Sequence, residues 1–240
     1  LFRSGVMRRL DRGDVALLVC GAAAALLYSN FLLDFTRTRY VGLYDIVSQL
    51  EAHGQPNAMF LRVTDVICVV LVACLLPWVR AALPRGAWRE VVVWSTVVFG
   101  IGAATAAFVP EACGPDVTCV GGAVQNAIHD GSSIASDTAL YVGVAAAWLA
   151  TRRTGPLWFA RAAWWIFWIG GVVTSLLFTY FQATDNPAWA VGVSQRVHIV
   201  CISVWIMCLA VFAVQGRRPR AESPTADAPT RLRVQPPSGG

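Results

Sequence analysis

The chain has 240 residues, of which 56% are hydrophobic and 14% charged, with a formal net charge of +5. A soluble domain has about a quarter of its residues charged, so this composition excludes an ordinary soluble fold and fits a polytopic membrane protein. The basic balance does not point to nucleic acid, because the arginines sit in short connections beside apolar runs, which is a topology signal.

In chain order, residues 1–13 carry Arg3, Arg8, Arg9 and Arg12 and read as a cytoplasmic tail. The first apolar run, about Asp14–Leu33, is long enough to span. It shows no clear small-residue cleavage site, so it reads as a retained helix rather than a signal peptide. Segment 35–60 is too polar to span. Within it Val41, Leu43, Tyr44, Ile46, Val47 and Leu50 share one helical face, and Gly54 suits a C-cap. This predicts a short amphipathic helix lying on, or folding back into, the membrane surface. Further spans are expected over about Leu61–Val79, interrupted near its end by Pro77, then Trp88–Phe108, Ile128–Leu149, Phe159–Phe181 and Val193–Val214. Residues 109–127 read as an outer loop. Residues 216–240 are rich in Pro, Ser and Arg and are expected to be disordered.

The expected fold is therefore an all-α bundle of six transmembrane helices over residues 14–215, with both termini on one side. Fifteen of the nineteen arginines fall on that side, the exceptions being Arg37, Arg39, Arg62 and Arg196. The positive-inside rule makes it the cytoplasmic side. Every base is arginine and none is lysine, as a GC-rich bacterial genome would give, and the bacterial inner membrane is the expected location.

The polar stretch Gln125–Asp137 leads into the fourth span and carries His129, Asp130, Ser132, Ser133, Ser136 and Asp137. Polar groups at membrane depth are costly and should face one another or water. Asp65, Arg196, His198 and the Thr174–Gln182 segment with Tyr180 lie at similar depths in other spans. Together they predict a polar cavity in the outer third of the bundle. His129, Ser133 and Asp137 recur at four-residue spacing along one face. One reading is a structural network with Asp137 paired to Arg196. The other is a site with Asp65, His129, Ser133, Asp137 and His198 as catalytic candidates. There His129, His198 and Asp137 would ligate a metal, zinc by the chemistry of the donors. No tight ligand spacing marks such a site, and two histidines are few for haem. Arg62, Gln195, Arg196 and Tyr180 are candidates for binding a head group, arginine being suited to phosphate. His53 reads as a turn residue.

Of the seven cysteines, Cys20, Cys68, Cys74, Cys201 and Cys208 lie in apolar runs and read as buried small hydrophobes. Cys113 and Cys119 flank a five-residue outer loop, where an oxidising compartment favours a disulfide, a free pair or metal ligands being the alternatives. No phosphate-binding Gly-rich loop, nucleophile elbow or His-Glu-x-x-His is present, and no internal repeat supports a transporter.

Phe108-Val109-Pro110-Glu111-Ala112-Cys113, the later Cys119, His129 and Gly192-Val193-Ser194-Gln195-Arg196 resemble the bacterial membrane-protein family known as domain of unknown function 998. The resemblance covers about residues 14–215 and implies the fold and topology. A more distant similarity is to the alkaline ceramidase and progestin-receptor-like hydrolases. It implies a zinc site in which Ser133, Asp65 or Asp137, and the three histidines play the family's parts. This chain departs from them in its six spans and in lacking paired histidines on the last helix. The functional expectation is a pocket that binds a lipid head group or small amphiphile without catalysis. The alternative is a zinc-dependent hydrolase of a lipid amide or ester, with transport third. The lipid bilayer is the expected partner, and the oligomeric state is not fixed by the sequence.

Overall fold

Helices are the regular elements of the computed structural model, which describes residues 10–32, 45–114, 122–184 and 188–217. Helix α1 spans Arg12–Tyr28. It starts with a capping box: the Asp14 amide donates to Asp11 Oδ1 (2.7 Å) and the Asp11 amide to Asp14 Oδ2 (3.4 Å). A single turn, α2 (Val47–Leu50), precedes α3 (Ala58–Ala82), α4 (Ala87–Phe108) and α5 (Ala123–Thr151). A continuous rod follows, made of α6 (Leu157–Ile166), a π-helical segment (Phe167–Val173) and α7 (Thr174–Thr184). Helix α8 (Ala188–Gly216) closes the bundle.

Among the described residues, five rods are long and apolar enough to cross a membrane: α3, α4, α5, residues 157–184 and α8. Helix α1 has 17 residues, about 26 Å at the α-helical rise. It is nonetheless an integral member of the bundle, packed on α3 and α8. A Cβ on Gly21 would lie 2.2 Å from Ala210 Cβ, so glycine is what lets α1 and α8 touch. The outward faces are apolar, with Leu26, Trp94, Ile101, Ile134 and Leu176 exposed. So large an apolar surface suits acyl chains rather than water.

The main core stacks Phe159 against Phe212 and Trp205, with centroids 4.1 and 5.2 Å away, and includes Phe99, Val144 and Ile206. The end beside it holds the basic groups. Arg217 reaches Asp14 (3.3 Å) and Asp11 (3.6 Å), and Arg80 meets Glu90 at 3.0 Å. A smaller cluster of Phe31, Val47, Leu50 and Leu61 closes the other end.

Three expectations change. Pro77 does not interrupt α3, which continues to Ala82. Inside a packed bundle one missing amide donor is tolerated when neighbours satisfy the freed groups. Helix α5 begins at Ala123, after Gly122 in the left-handed region (φ 80°), so the whole polar stretch 125–137 is helical and the outer loop shorter than expected. Of the expected amphipathic helix, Val47 and Leu50 form a turn buried against Phe31 and Leu61, folded into the bundle rather than laid on a surface. Gly54 (φ 86°) belongs to the turn after it and does not cap a helix. Val41, Leu43 and Tyr44, most of the two tails and Cys119 lie outside the described residues, and the expected Cys113–Cys119 link with them.

Candidate functional site

Apart from groups such as Asp14 and Thr151, the buried polar groups occupy the half of the bundle opposite the Arg80–Arg217 end, at three levels. The first is at the start of α5. His129 is 3% exposed and its Nδ1 lies 3.0 Å from the Val109 carbonyl and 3.2 Å from that of Ala106. Both neighbours are acceptors, so Nδ1 is the donor there, and in the neutral ring the lone pair falls on Nε2. Nε2 is buried with no hydrogen-bond partner among the described residues. A ring nitrogen of His129 and a carboxylate oxygen from each of Glu111 and Asp130 lie within 4.8 Å of one another. Glu111 is buried, and the Ser48 hydroxyl donates to its Oε1 at 2.7 Å. Burial pushes the Glu111 carboxyl up, against the pull of that hydrogen bond.

The second level joins three elements. The Asn30 amide donates to Asp65 Oδ1 (2.8 Å), Thr64 Oγ1 (3.1 Å) and the Leu61 carbonyl (3.1 Å). The Glu51 carboxyl, 6% exposed, is hydrogen-bonded to that of Asp65. Two carboxyl groups in such contact share a proton, since neither anion can donate. Burial drives Glu51 above the usual carboxylate range, although hydrogen bonds from Asp65 and Asn30 and the charge of Arg62 oppose it.

The third level lies deeper. His198 Nε2 is 3.0 Å from Asp137 Oδ2, and its Nδ1 donates to the Gly170 carbonyl at 2.8 Å, with Thr174 Oγ1 3.2 Å away. The π-helical segment makes this possible. The Thr174 amide reaches back five residues to Ile169, leaving the Gly170 carbonyl to the Thr174 hydroxyl and His198.

The structure thus divides the residues singled out from sequence. His129 groups with Glu111 and Asp130, whereas His198 groups with Asp137. Eight residues are 2.2 turns, which leaves His129 and Asp137 about 80° apart around α5. Ser133 is half-buried between them, and Ser136 instead donates to the Phe99 carbonyl at 2.8 Å. Arg196 does not meet Asp137: its guanidinium donates to the carbonyls of Asp45 (2.8 Å) and Gly192 (3.1 Å) and lies over Phe31. Gln195 accepts the Val47 amide and thereby anchors α2. Arg62 contacts its own helix at the Ala58 carbonyl (3.4 Å), and Tyr180 is 61% exposed on the outer face. Thr174 alone of the polar α7 face is buried. Glu51, Glu111 and Asn30 enter the site unannounced. The turn to polar residues at the end of the first apolar run was the signal for Asn30.

Above the first level lies an open groove of about 770 Å³, lined by Phe108, Val109, Pro110, Val124, Ile128 and His53 among others. The His53 amide donates to the Glu111 carbonyl at 3.4 Å, tying the turn to this wall.

A family model described as "Protein of unknown function (DUF998)" matches residues 18–212. No curated protein and no solved structure matches the chain.

Proposed function

The chain belongs to the DUF998 family, and from that premise we propose that it is a multi-pass membrane protein binding the head group of a small amphiphile at its extracytoplasmic end. In this reading α1 is the first of six spans of a bacterial inner-membrane protein, and both termini are cytoplasmic. The observation that carries it is the meeting, at one end of the bundle, of an open apolar groove and an acid-rich buried layer. Phe108, Val124 and Ile128 would receive an apolar tail. The described carboxylates of that half, Asp45, Glu51, Asp65, Glu111, Asp130 and Asp137, outnumber its described arginines, Arg62 and Arg196. Even with one proton shared between Glu51 and Asp65, this surplus favours an amine-bearing head group over a phosphate. Beyond Asp137 the described core is the apolar Phe159–Trp205–Phe212 stack, which favours binding over passage of a solute. A Cys113–Cys119 disulfide would hold the loop that carries Glu111. Alkylation of Cys113 only after reduction checks that link.

Native mass spectrometry of the detergent-solubilised protein with a long-chain primary amine, and separately with an anionic phospholipid, tests the reading. Saturable amine binding, weakened at least tenfold by Val124→Arg, is expected. Binding of the anionic lipid alone, or of neither, would overturn it. The alternative, a metal-dependent hydrolase of a lipid amide or ester, is favoured by the His129–Glu111–Asp130 grouping. Chelator-sensitive release of fatty acid from such a lipid would select it.

A further inference from the structure

We propose that Glu111, His129 and Asp130 form a binding site for a zinc-class divalent cation, whatever occupies the groove beside them. Three observations converge. One donor atom from each residue already lies within 4.8 Å of the others. Zinc ligands at about 2 Å from the metal sit about 3.3 Å apart in a tetrahedron. Asp130 is exposed, so rotation of its side chain is free to close the gap. The second observation is the histidine's tautomer. Nδ1–H is committed to the Val109 and Ala106 carbonyls. This is how metal-binding histidines are oriented, with one nitrogen held by a backbone acceptor and the other presenting its lone pair. The third is that this other nitrogen, Nε2, is buried in a residue only 3% exposed and has no hydrogen-bond partner among the described residues. A buried acceptor without a partner is costly, and a cation would satisfy it.

The donor set selects the metal. One imidazole and two carboxylates suit zinc and its first-row neighbours, whereas calcium and magnesium take oxygen ligands. Three protein ligands leave a coordination position for water or a groove ligand, the arrangement of an open rather than a closed structural site. His198 is outside the set, being held by Gly170 and Asp137.

The test uses the full chain in detergent with zinc or cobalt alone. Metal analysis after dialysis should give one zinc per chain, and cobalt should produce the visible absorption of a low-symmetry site. Calcium in excess should displace neither. Asp130→Asn, the change least able to disturb packing, and Glu111→Gln should each weaken zinc by about tenfold or more. His129→Gln should abolish the cobalt spectrum, while His198→Gln keeps it. Thermal melts of each variant separate lost binding from lost folding. Cys74, expected to be buried, is exposed; zinc retained in His129→Gln but lost in Cys74→Ser would mark an adventitious thiol and overturn the site. Absence of zinc from folded wild-type protein would overturn it too. Amine binding at the groove is read separately, so either proposal can fail alone.

Discussion

At Glu51, burial and hydrogen bonding act in opposite directions, and burial prevails. Its neighbours are Asp65, which shares its hydrogen bond, Asn30, Arg62 and His129. Because folding raises the Glu51 pKa, the stability it contributes is full below the unfolded value. That contribution is lost as pH rises through the raised value. Thermal unfolding in detergent should therefore show a midpoint that falls from mildly acidic to neutral pH. Glu51→Gln supplies a neutral donor to Asp65 and should raise the midpoint at neutral pH and weaken its pH dependence. A variant that falls as steeply as the parent would refute the shared-proton pair.

Among the elements, α4 and α5 make the most extensive contact in the bundle, and glycine sets their separation. A Cβ on Gly102 would lie 2.7 Å from the Ser132 carbonyl oxygen and 2.8 Å from Ser136 Cβ. Gly102→Val should destabilise by about 1–3 kcal/mol, the usual effect of overpacking. Gly131, only a turn away on α5, meets nothing within 4 Å. There Gly131→Ala should gain about 0.5–1 kcal/mol through helix propensity. Melting both variants in the same detergent compares the two positions. Equal behaviour would mean that the helices are not held this close. The π-helical segment is the other element with a local consequence, because it turns one carbonyl of a spanning rod toward His198.

For the whole molecule, the distribution of charge predicts a topology. Arg80, Arg152, Arg153 and Arg217 sit at the far ends of α3, α5 and α8, and the Asp11–Arg217 pair brings the start of α1 to the same end. Alkaline phosphatase fused after Gly114 should be active, and a green fluorescent protein at the C-terminus should fluoresce. Phosphatase fused after Leu32 should also be active if α1 spans. An inactive fusion there, with the others as expected, would leave five crossings and put the N-terminus outside.

Hydropathy runs were enough to locate the long apolar helices. The expected Trp88–Phe108 span differs by one residue from α4, because a membrane span needs about twenty apolar residues and little else. The family resemblance was legible for a similar reason, through short motifs at the ends of spans. The early start of α5 was not legible, because polar residues at a helix end look like loop until a left-handed Gly122 shows where the helix begins. The pairing of polar groups was not legible either. Sequence spacing placed His129 and Asp137 on one helix, but only packing decided that α4 carbonyls hold His129 and that α8 supplies the partner of Asp137. Likewise no spacing pattern marked Glu51 and Glu111, which are buried where α2 folds into the bundle. Hydrophobic burial in a bilayer is fixed by composition along one helix and is therefore written locally. Hydrogen bonds and cation sites depend on atoms within about 3 Å from different helices, and helix rotation and register, which only the tertiary structure sets, decide those.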